Sequence, residues 1–223
     1  MGDTVRRPIG SHSEFTAALL RLLEERGFDG APRHLGTDAA GRDILSFLDG
    51  EVPARFRPWA DDQVHAAAAL LRRFHDATRG SRLTGPDPVV CHHDPGPNNT
   101  VFRAELPVAL IDFDLAAPGE PLEDVGYLAW TWCVSSKDSA PSPDVQAHQL
   151  WIAADGYGLD REQRQGLVDA MLERQERNAR WWAACTEPAA PERAAWSWRE
   201  HAFTRAHRER FTAGLGVDGG GRR

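Results

Sequence analysis

The alternation of apolar and polar positions opens with a short extended piece, residues 4 to 7, stopped by Pro8 and Gly10. Phe15, Leu19, Leu22 and Leu23 then recur at helical spacing, with Ser13 placed to cap that helix and Gly27 to end it. Two strand-like pieces follow, residues 32 to 35 and 43 to 48, the second closed by Asp49-Gly50, and residues 51 to 59 read as a connector. From Asp61 the period changes. Val64, Ala67, Ala68, Leu71 and Phe74 form one helical stripe that breaks at Gly80. After a Pro/Gly loop to Pro88, the runs VVCHHD, TVFR and VALIDFD alternate strand and loop, and the ELP turn predicts a hairpin between the last two. Beyond Pro121 the pattern is helical over residues 123 to 134, 144 to 156, 160 to 185 and 191 to 214, with a loop at 135 to 144 and GGGRR as a frayed tail. The expected class is α+β: a small mixed unit over residues 1 to 50, then a larger, mainly helical unit over residues 51 to 223.

Composition narrows the function classes. The 223 residues are 41% hydrophobic and 26% charged, an ordinary balance for a soluble globular chain. A net charge of -7 argues against a nucleic-acid backbone as partner and suits a neutral or cationic small molecule. The three cysteines, Cys91, Cys133 and Cys185, include no CxxC pair, which fits a reducing compartment. No apolar run reaches the roughly 18 residues of a membrane span, and the N-terminus has no signal-peptide core. A cytoplasmic protein with neither membrane nor nucleic-acid partner is expected.

The densest chemistry lies in CHHDPGPNNTVFRAELPVALIDFD, residues 91 to 114. Pro95, Gly96 and Pro97 force an irregular loop between Asp94 and Asn99, so a carboxylate and a carboxamide can face one cleft. The apolar run VALI then delivers Asp112, a carboxylate that needs a cation or donors to compensate its burial. Asn99 and Asp112 are the hard oxygen donors that Mg²⁺ takes when phosphate and water complete its shell. Asp94 is left to handle a proton or orient a hydroxyl. That is the layout of a phosphoryl-transfer site, where positioning and charge neutralisation do most of the catalysis.

Plainer readings stand beside this one. The loop could be polar and held by Asx-turns, though three such residues in a strand–loop–hairpin frame fit that poorly. Cys91, His92 and His93 beside Asp94 suggest zinc, but adjacent strand residues point to opposite faces, which disfavours a metal-dependent hydrolase. Asp114 can approach the metal, though an Asp at a strand end reads first as a structural cap, and Asp124 reads as a structural carboxylate at a helix start. The Trp residues of the C-terminal half fall at core-like helical spacing, so packing is the default for them.

His92-His93-Asp94 with Asn99 matches H-x-D-x-x-x-x-N, and Ile111-Asp112-Phe113 supplies the element after it. The segment resembles the signature of the aminoglycoside phosphotransferase and choline kinase family, which has a protein-kinase-like fold. In that family the middle residue of the triplet is often Gly; here it is His93. The run from Pro118 to Asp124 is similar to the family's GDPxxD, residues 70 to 78 to the helix before its catalytic loop, and residues 33 to 50 to the strands and hinge joining its lobes. The resemblance implies Asp94 as the catalytic Asp, Asn99 and Asp112 as Mg²⁺ ligands, His92 as a brace of the loop and Asp124 as structural. It also implies a basic residue on the family's third strand for the nucleotide phosphates, with Arg6 the first candidate and Arg7 the second, and Glu14 as the early acidic residue of the next helix.

The first two strands of that fold, with their glycine loop, have no counterpart here, so the expected N-terminal lobe is a reduced one. The leading function is ATP- and Mg²⁺-dependent phosphorylation of a hydroxyl on a small molecule. The alternative is a non-catalytic, pseudokinase-like binding protein, or an N-terminally truncated fragment of such a kinase.

Overall fold

Alternation and register build the first sheet. The computed structural model describes residues 2–53 and 57–216; the middle of the expected connector and the GGGRR tail lie outside them. Strands β1 (Thr4–Pro8), β2 (His34–Thr37) and β3 (Arg42–Ser46) form an antiparallel sheet in the order β1-β3-β2. Arg6 stands opposite Ile44 and Arg7 opposite Asp43, so the two arginines leave the strand on opposite faces. Helix α1 (Ser13–Glu25) buries Leu19, Leu20 and Leu23 on one stripe. It ends in a Schellman motif, with Gly27 N–H donating to Glu24 O at 3.0 Å and Phe28 N–H to Leu23 O at 2.9 Å. Ser13 was expected to cap the helix but is its first residue, and its Oγ accepts the Gly10 N–H at 2.8 Å. The turn after Pro8 offers that donor, which occupies the hydroxyl.

Helix α2 (Asp61–Thr78) precedes β4 (Val89–Cys91), and β5 (Thr100–Arg103) and β6 (Leu106–Leu110) form the expected hairpin. Its turn is Ala104-Glu105, both with positive φ (48° and 65°), the backbone whose twist matches two antiparallel strands. The turn lies one residue before the expected ELP, and Leu106 and Pro107 already pair across to Arg103 and Phe102. A three-residue strand, β7 (Ala117–Gly119), pairs antiparallel with β4. Gly50, at φ 145°, lies so close to β5 that a Cβ there would come 2.4 Å from Phe102 O. Next to it, Glu51 and Phe102 exchange backbone hydrogen bonds at 2.9 and 2.7 Å. With residues up to 53, residues 69–121 make one compact unit around Leu70, Leu71, Phe74, Val89, Val90 and Phe113, all essentially buried. Phe74 is central to it, its ring 6.0 Å from Phe28 and 5.6 Å from Phe113.

The second compact unit takes residues 57–68 and 122–216. Helix α3 (Pro121–Leu128) runs into a π-helical turn, Ala129–Cys133, and is followed by α4 (Pro143–Tyr157), α5 (Arg161–Ala184), α6 (Ala190–Ala206) and α7 (Arg208–Gly214). Two expected helices are therefore each broken, at the π turn and at His207. A capping box starts α5: Asp160 Oδ1 accepts the Gln163 N–H at 2.9 Å, and Gln163 Oε1 accepts the Asp160 N–H at 3.1 Å. Trp130 stacks on Trp196 at 4.7 Å and Trp59 meets Trp132 at 5.0 Å, whereas Trp151, Trp181 and Trp198 are exposed. Helical spacing places residues on one face but does not decide whether that face is covered. Glu200 is buried and accepts the Ser136 backbone N–H at 3.0 Å and hydroxyl at 2.7 Å. Burial pushes its carboxyl above the ordinary range, against the lowering effect of both Ser136 donors.

The cysteines form no disulfide. Cys91 and Cys133 are buried, their thiols donating to Glu120 O at 3.3 Å and Gln149 O at 3.5 Å, and Cys185 is half-buried. Burial, and then the nearby charge of Asp61, push the Cys133 thiol well above its usual value. Among the described residues no helix is long and apolar enough to cross a membrane.

Candidate active site

The loop after β4 is held from beneath by a buried imidazole. His92 is fully buried, its ring 4.7 Å from that of Phe113 and 6.3 Å from that of Phe74. Its Nε2 lies 3.0 Å from Ile111 O, and its Nδ1 accepts the Asp94 N–H at 3.3 Å. A carbonyl can only accept and a backbone N–H can only donate, so the ring proton belongs on Nε2. The next residue, His93, has φ 63°, a left-handed conformation that costs a non-glycine residue about 1 kcal/mol. This is the position where the resembled signature often has Gly.

Asp94 and Asn99 are in direct contact. The turn Pro97–Asn99 brings the Asn99 carboxamide back, and its Nδ2 donates to Asp94 O at 3.0 Å and to Asp94 Oδ2 at 2.8 Å. Both partners are acceptors, so the amide nitrogen faces Asp94 and Oδ1 points the other way. Thr100 Oγ1 donates to Gly96 O at 3.0 Å and fixes the far side of the loop.

Asp112 is tied to this loop through its neighbour. Ile111 N–H donates to Asn99 O at 2.9 Å, while Ile111 O accepts from His92. One residue of β6's continuation, Ile111, thus reads both ends of the H-x-D-x-x-x-x-N loop. Asp112 itself has φ 65° and precedes the turn Phe113–Leu115. Phe113 is buried, and its carbonyl accepts the Thr16 hydroxyl of α1 at 3.2 Å. With Phe113 turned inward, Asp112 and Asp114 are both left facing outward.

Arg7 of β1 reaches both carboxylates. Its Nη2 is 3.6 Å from Asp112 Oδ1 and also pairs with Asp114 Oδ2. Arg6, on the other face of the strand, lies 3.7 Å from Asp38, which Arg42 also holds at 2.8 Å. Hydrogen bonds from the backbone and then the side chain of Arg42 lower the Asp38 carboxyl below its ordinary value. Glu14 is exposed in the first turn of α1 and has no ion pair among the described residues. The Asp112 and Asp114 side chains stay 56% and 47% exposed, so their pairing with Arg7 contributes at most about 1 kcal/mol.

Of the four residues predicted from sequence, Asp94, Asn99 and Asp112 therefore share one hydrogen-bonded loop pair, and Arg6 stands apart with Asp38. Arg7, the second candidate, meets the acidic pair. Asp114, read first as a structural cap with approach to the metal as the alternative, shares a guanidinium with Asp112. The signal was the D-F-D triplet: an aromatic drawn into the core leaves its acidic neighbours on the open side. Asn99 Oδ1 and the Asp112 and Asp114 carboxylates are all oxygen donors, and the two carboxylates already converge on one cationic group; such a donor set fits a hard divalent cation.

The fold and this loop pair define a protein-kinase-like phosphotransferase scaffold. Residues 14–157 match the phosphotransferase enzyme family, and the chain belongs to that family. Among curated proteins, the trifolitoxin immunity protein of Rhizobium leguminosarum bv. trifolii is 35% identical over 193 residues, covering 77% of this chain and 74% of that one. An aminoglycoside phosphotransferase from Alicyclobacillus acidocaldarius superposes with a TM-score of 0.60 at 16% identity, over 96% of this chain and 85% of that one. Choline kinase from Cryptosporidium parvum gives 0.55 at 13%, over 96% and 85%. The aminoglycoside phosphotransferase APH(2")-IIa, in a ternary complex with streptomycin and ATP, gives 0.58 at 13%, over 90% and 86%. At these identities the structural likenesses establish the fold.

Proposed function

We propose that this protein transfers the γ-phosphoryl group of ATP, with Mg²⁺, to a hydroxyl of a small molecule. The observation that carries the reading is the lock between Asp94, Asn99 and Ile111-Asp112 described above. Asp94 orients the acceptor hydroxyl and takes its proton as the new oxygen–phosphorus bond forms and the bond to the departing ADP oxygen breaks. Asn99 Oδ1 and Asp112 are the ligands proposed for the metal, which when bound neutralises phosphate charge. Arg7, already turned toward this acidic edge, is the cation proposed for the phosphates; Arg6 is engaged with Asp38. The ternary complex of a protein with this fold with streptomycin and ATP supports a nucleotide and a small-molecule ligand bound together.

The test is ATP affinity and ATP consumption across a panel of hydroxylated compounds, for wild type, Asp94→Asn and Asp112→Asn. Asp94→Asn is expected to keep nucleotide affinity within a few-fold while transfer falls at least a hundredfold, in the range of lost general-base catalysis. Asp112→Asn is expected to weaken Mg·ATP itself. Wild-type activity in both variants would remove the assignment.

A second reading is favoured by the 35% identical relative named for immunity to trifolitoxin. A protein can confer immunity to a toxin by sequestering it as well as by modifying it. On that reading the chain binds a toxic compound without transferring phosphate, and a ligand from the same panel would raise its thermal midpoint with no ATP consumed.

A further inference from the structure

The ion pairs of β1 leave Arg7 with a dual relation to the proposed site. Its guanidinium occupies the carboxylates of Asp112 and Asp114, where a divalent cation would bind. Among the described residues it is the one cation within ion-pair distance of either. Its backbone is fixed by the pairing with β3 at Asp43, so the exchange concerns the side chain alone. Arg6 cannot substitute, because strand alternation sends it to Asp38.

We infer that Arg7 is an exchangeable counter-ion that couples nucleotide and metal binding, an inference that rests on the phosphotransferase reading above. Without nucleotide, Arg7 neutralises Asp112 and Asp114 and competes with the divalent ion. When a nucleotide polyphosphate arrives, the guanidinium passes to its oxygens, to which it can donate two parallel hydrogen bonds. Both carboxylates are then open to the ion. The half-exposed pair is weak enough for this, with a competitive effect on the metal of about fivefold. Thermodynamic reciprocity requires the nucleotide to tighten the metal by the same factor by which the metal tightens the nucleotide.

The inference separates Arg7 from an ordinary structural residue by the sign of its effects. Removing a side chain that merely supports the site weakens every ligand. Removing Arg7 tightens the metal alone, weakens the nucleotide alone and reduces the coupling between them.

The experiment follows Mn²⁺ binding by the loss of its free-ion electron paramagnetic resonance signal, without nucleotide and with saturating ADP. It compares wild type, Arg7→Gln and Arg73→Gln. Arg73 pairs with Asp29 outside the site, so its variant controls for the loss of one positive charge. Circular dichroism checks that each variant is folded. Expected for Arg7→Gln is about fivefold tighter Mn²⁺ binding without nucleotide and a smaller gain on adding ADP than in wild type. Arg73→Gln is expected to match wild type in both. Equal or weaker Mn²⁺ binding by Arg7→Gln, with wild type binding the ion, overturns the inference and leaves the phosphotransferase reading standing. No Mn²⁺ binding by either protein, with or without ADP, overturns both.

Discussion

His92 and Ile111 are joined by a 3.0 Å contact from the imidazole Nε2 to the carbonyl oxygen immediately ahead of Asp112. Through it, a buried ring between two phenylalanines sets the spacing of the Asp94 loop and the Asp112 turn. His92→Ala removes two hydrogen bonds and leaves a cavity beside Phe113. A loss of about 3 kcal/mol is expected in urea denaturation, together with a large fall in any transfer activity. A loss below 1 kcal/mol would show that the loop holds its shape without the ring.

The β5–β6 turn carries an avoidable cost. Ala104 and Glu105 both adopt positive φ, at about 1 kcal/mol or more each for residues with a Cβ. Replacing them with Asn-Gly, the pair this turn type prefers, is expected to raise stability by about 1–2 kcal/mol. The variant's thermal midpoint checks this directly, and an unchanged midpoint would mean the turn is not strained.

Gly50 supports the opposite change. A Cβ at this position would meet Phe102 O at 2.4 Å and Val101 Cγ1 at 2.6 Å, and φ is 145°. A backbone oxygen inside a paired strand has no rotamer by which to withdraw. Gly50→Ala is expected to cost about 2–3 kcal/mol, read from the same denaturation curves, and to loosen the Glu51–Phe102 bridge in hydrogen exchange.

Glu200 gives a pH signature. Its folded carboxyl is raised above the ordinary value of 4.5, chiefly by burial. A group raised on folding contributes stability that is fully present below its unfolded value and lost as pH rises through its folded one. Glu200→Gln lacks this titration. The stability difference, variant minus wild type, is therefore expected to grow in the variant's favour as pH rises from about 4 into the neutral range. Urea midpoints across that range measure it; a pH-independent difference would contradict the raised carboxyl.

Much of this was legible in the sequence, for reasons that vary by element. The period of Phe15, Leu19 and Leu23 marked α1, and the TVFR and VALI runs marked the hairpin, because each pattern is local. That Asp94, Asn99 and Asp112 come together on one loop pair was legible because their offsets are set by loop and hairpin lengths. The assignment between Arg6 and Arg7 depended on which face of β1 turns toward Asp112. That is fixed by pairing with β3, about 35 residues away in the sequence, and neighbouring arginines give no hint of it. β7 was invisible because Ala-Pro-Gly has no strand propensity of its own and pairs only because β4 lies beside it. The π turn at Ala129–Cys133 and the break at His207 interrupt runs whose apolar spacing continues through them.

The distribution of sulfur has a practical consequence. Cys185 is the one cysteine with substantial solvent contact, while Cys91 is sealed inside the first compact unit and Cys133 inside the second. A thiol reagent applied to the native chain should therefore modify one position, giving a labelling handle without mutagenesis. As denaturant is added, the second and third equivalents of reagent become consumed only when their own unit opens. Mass spectrometry of the alkylated peptides would then show whether the two units melt together or in sequence, with the unaltered protein supplying its own two clocks.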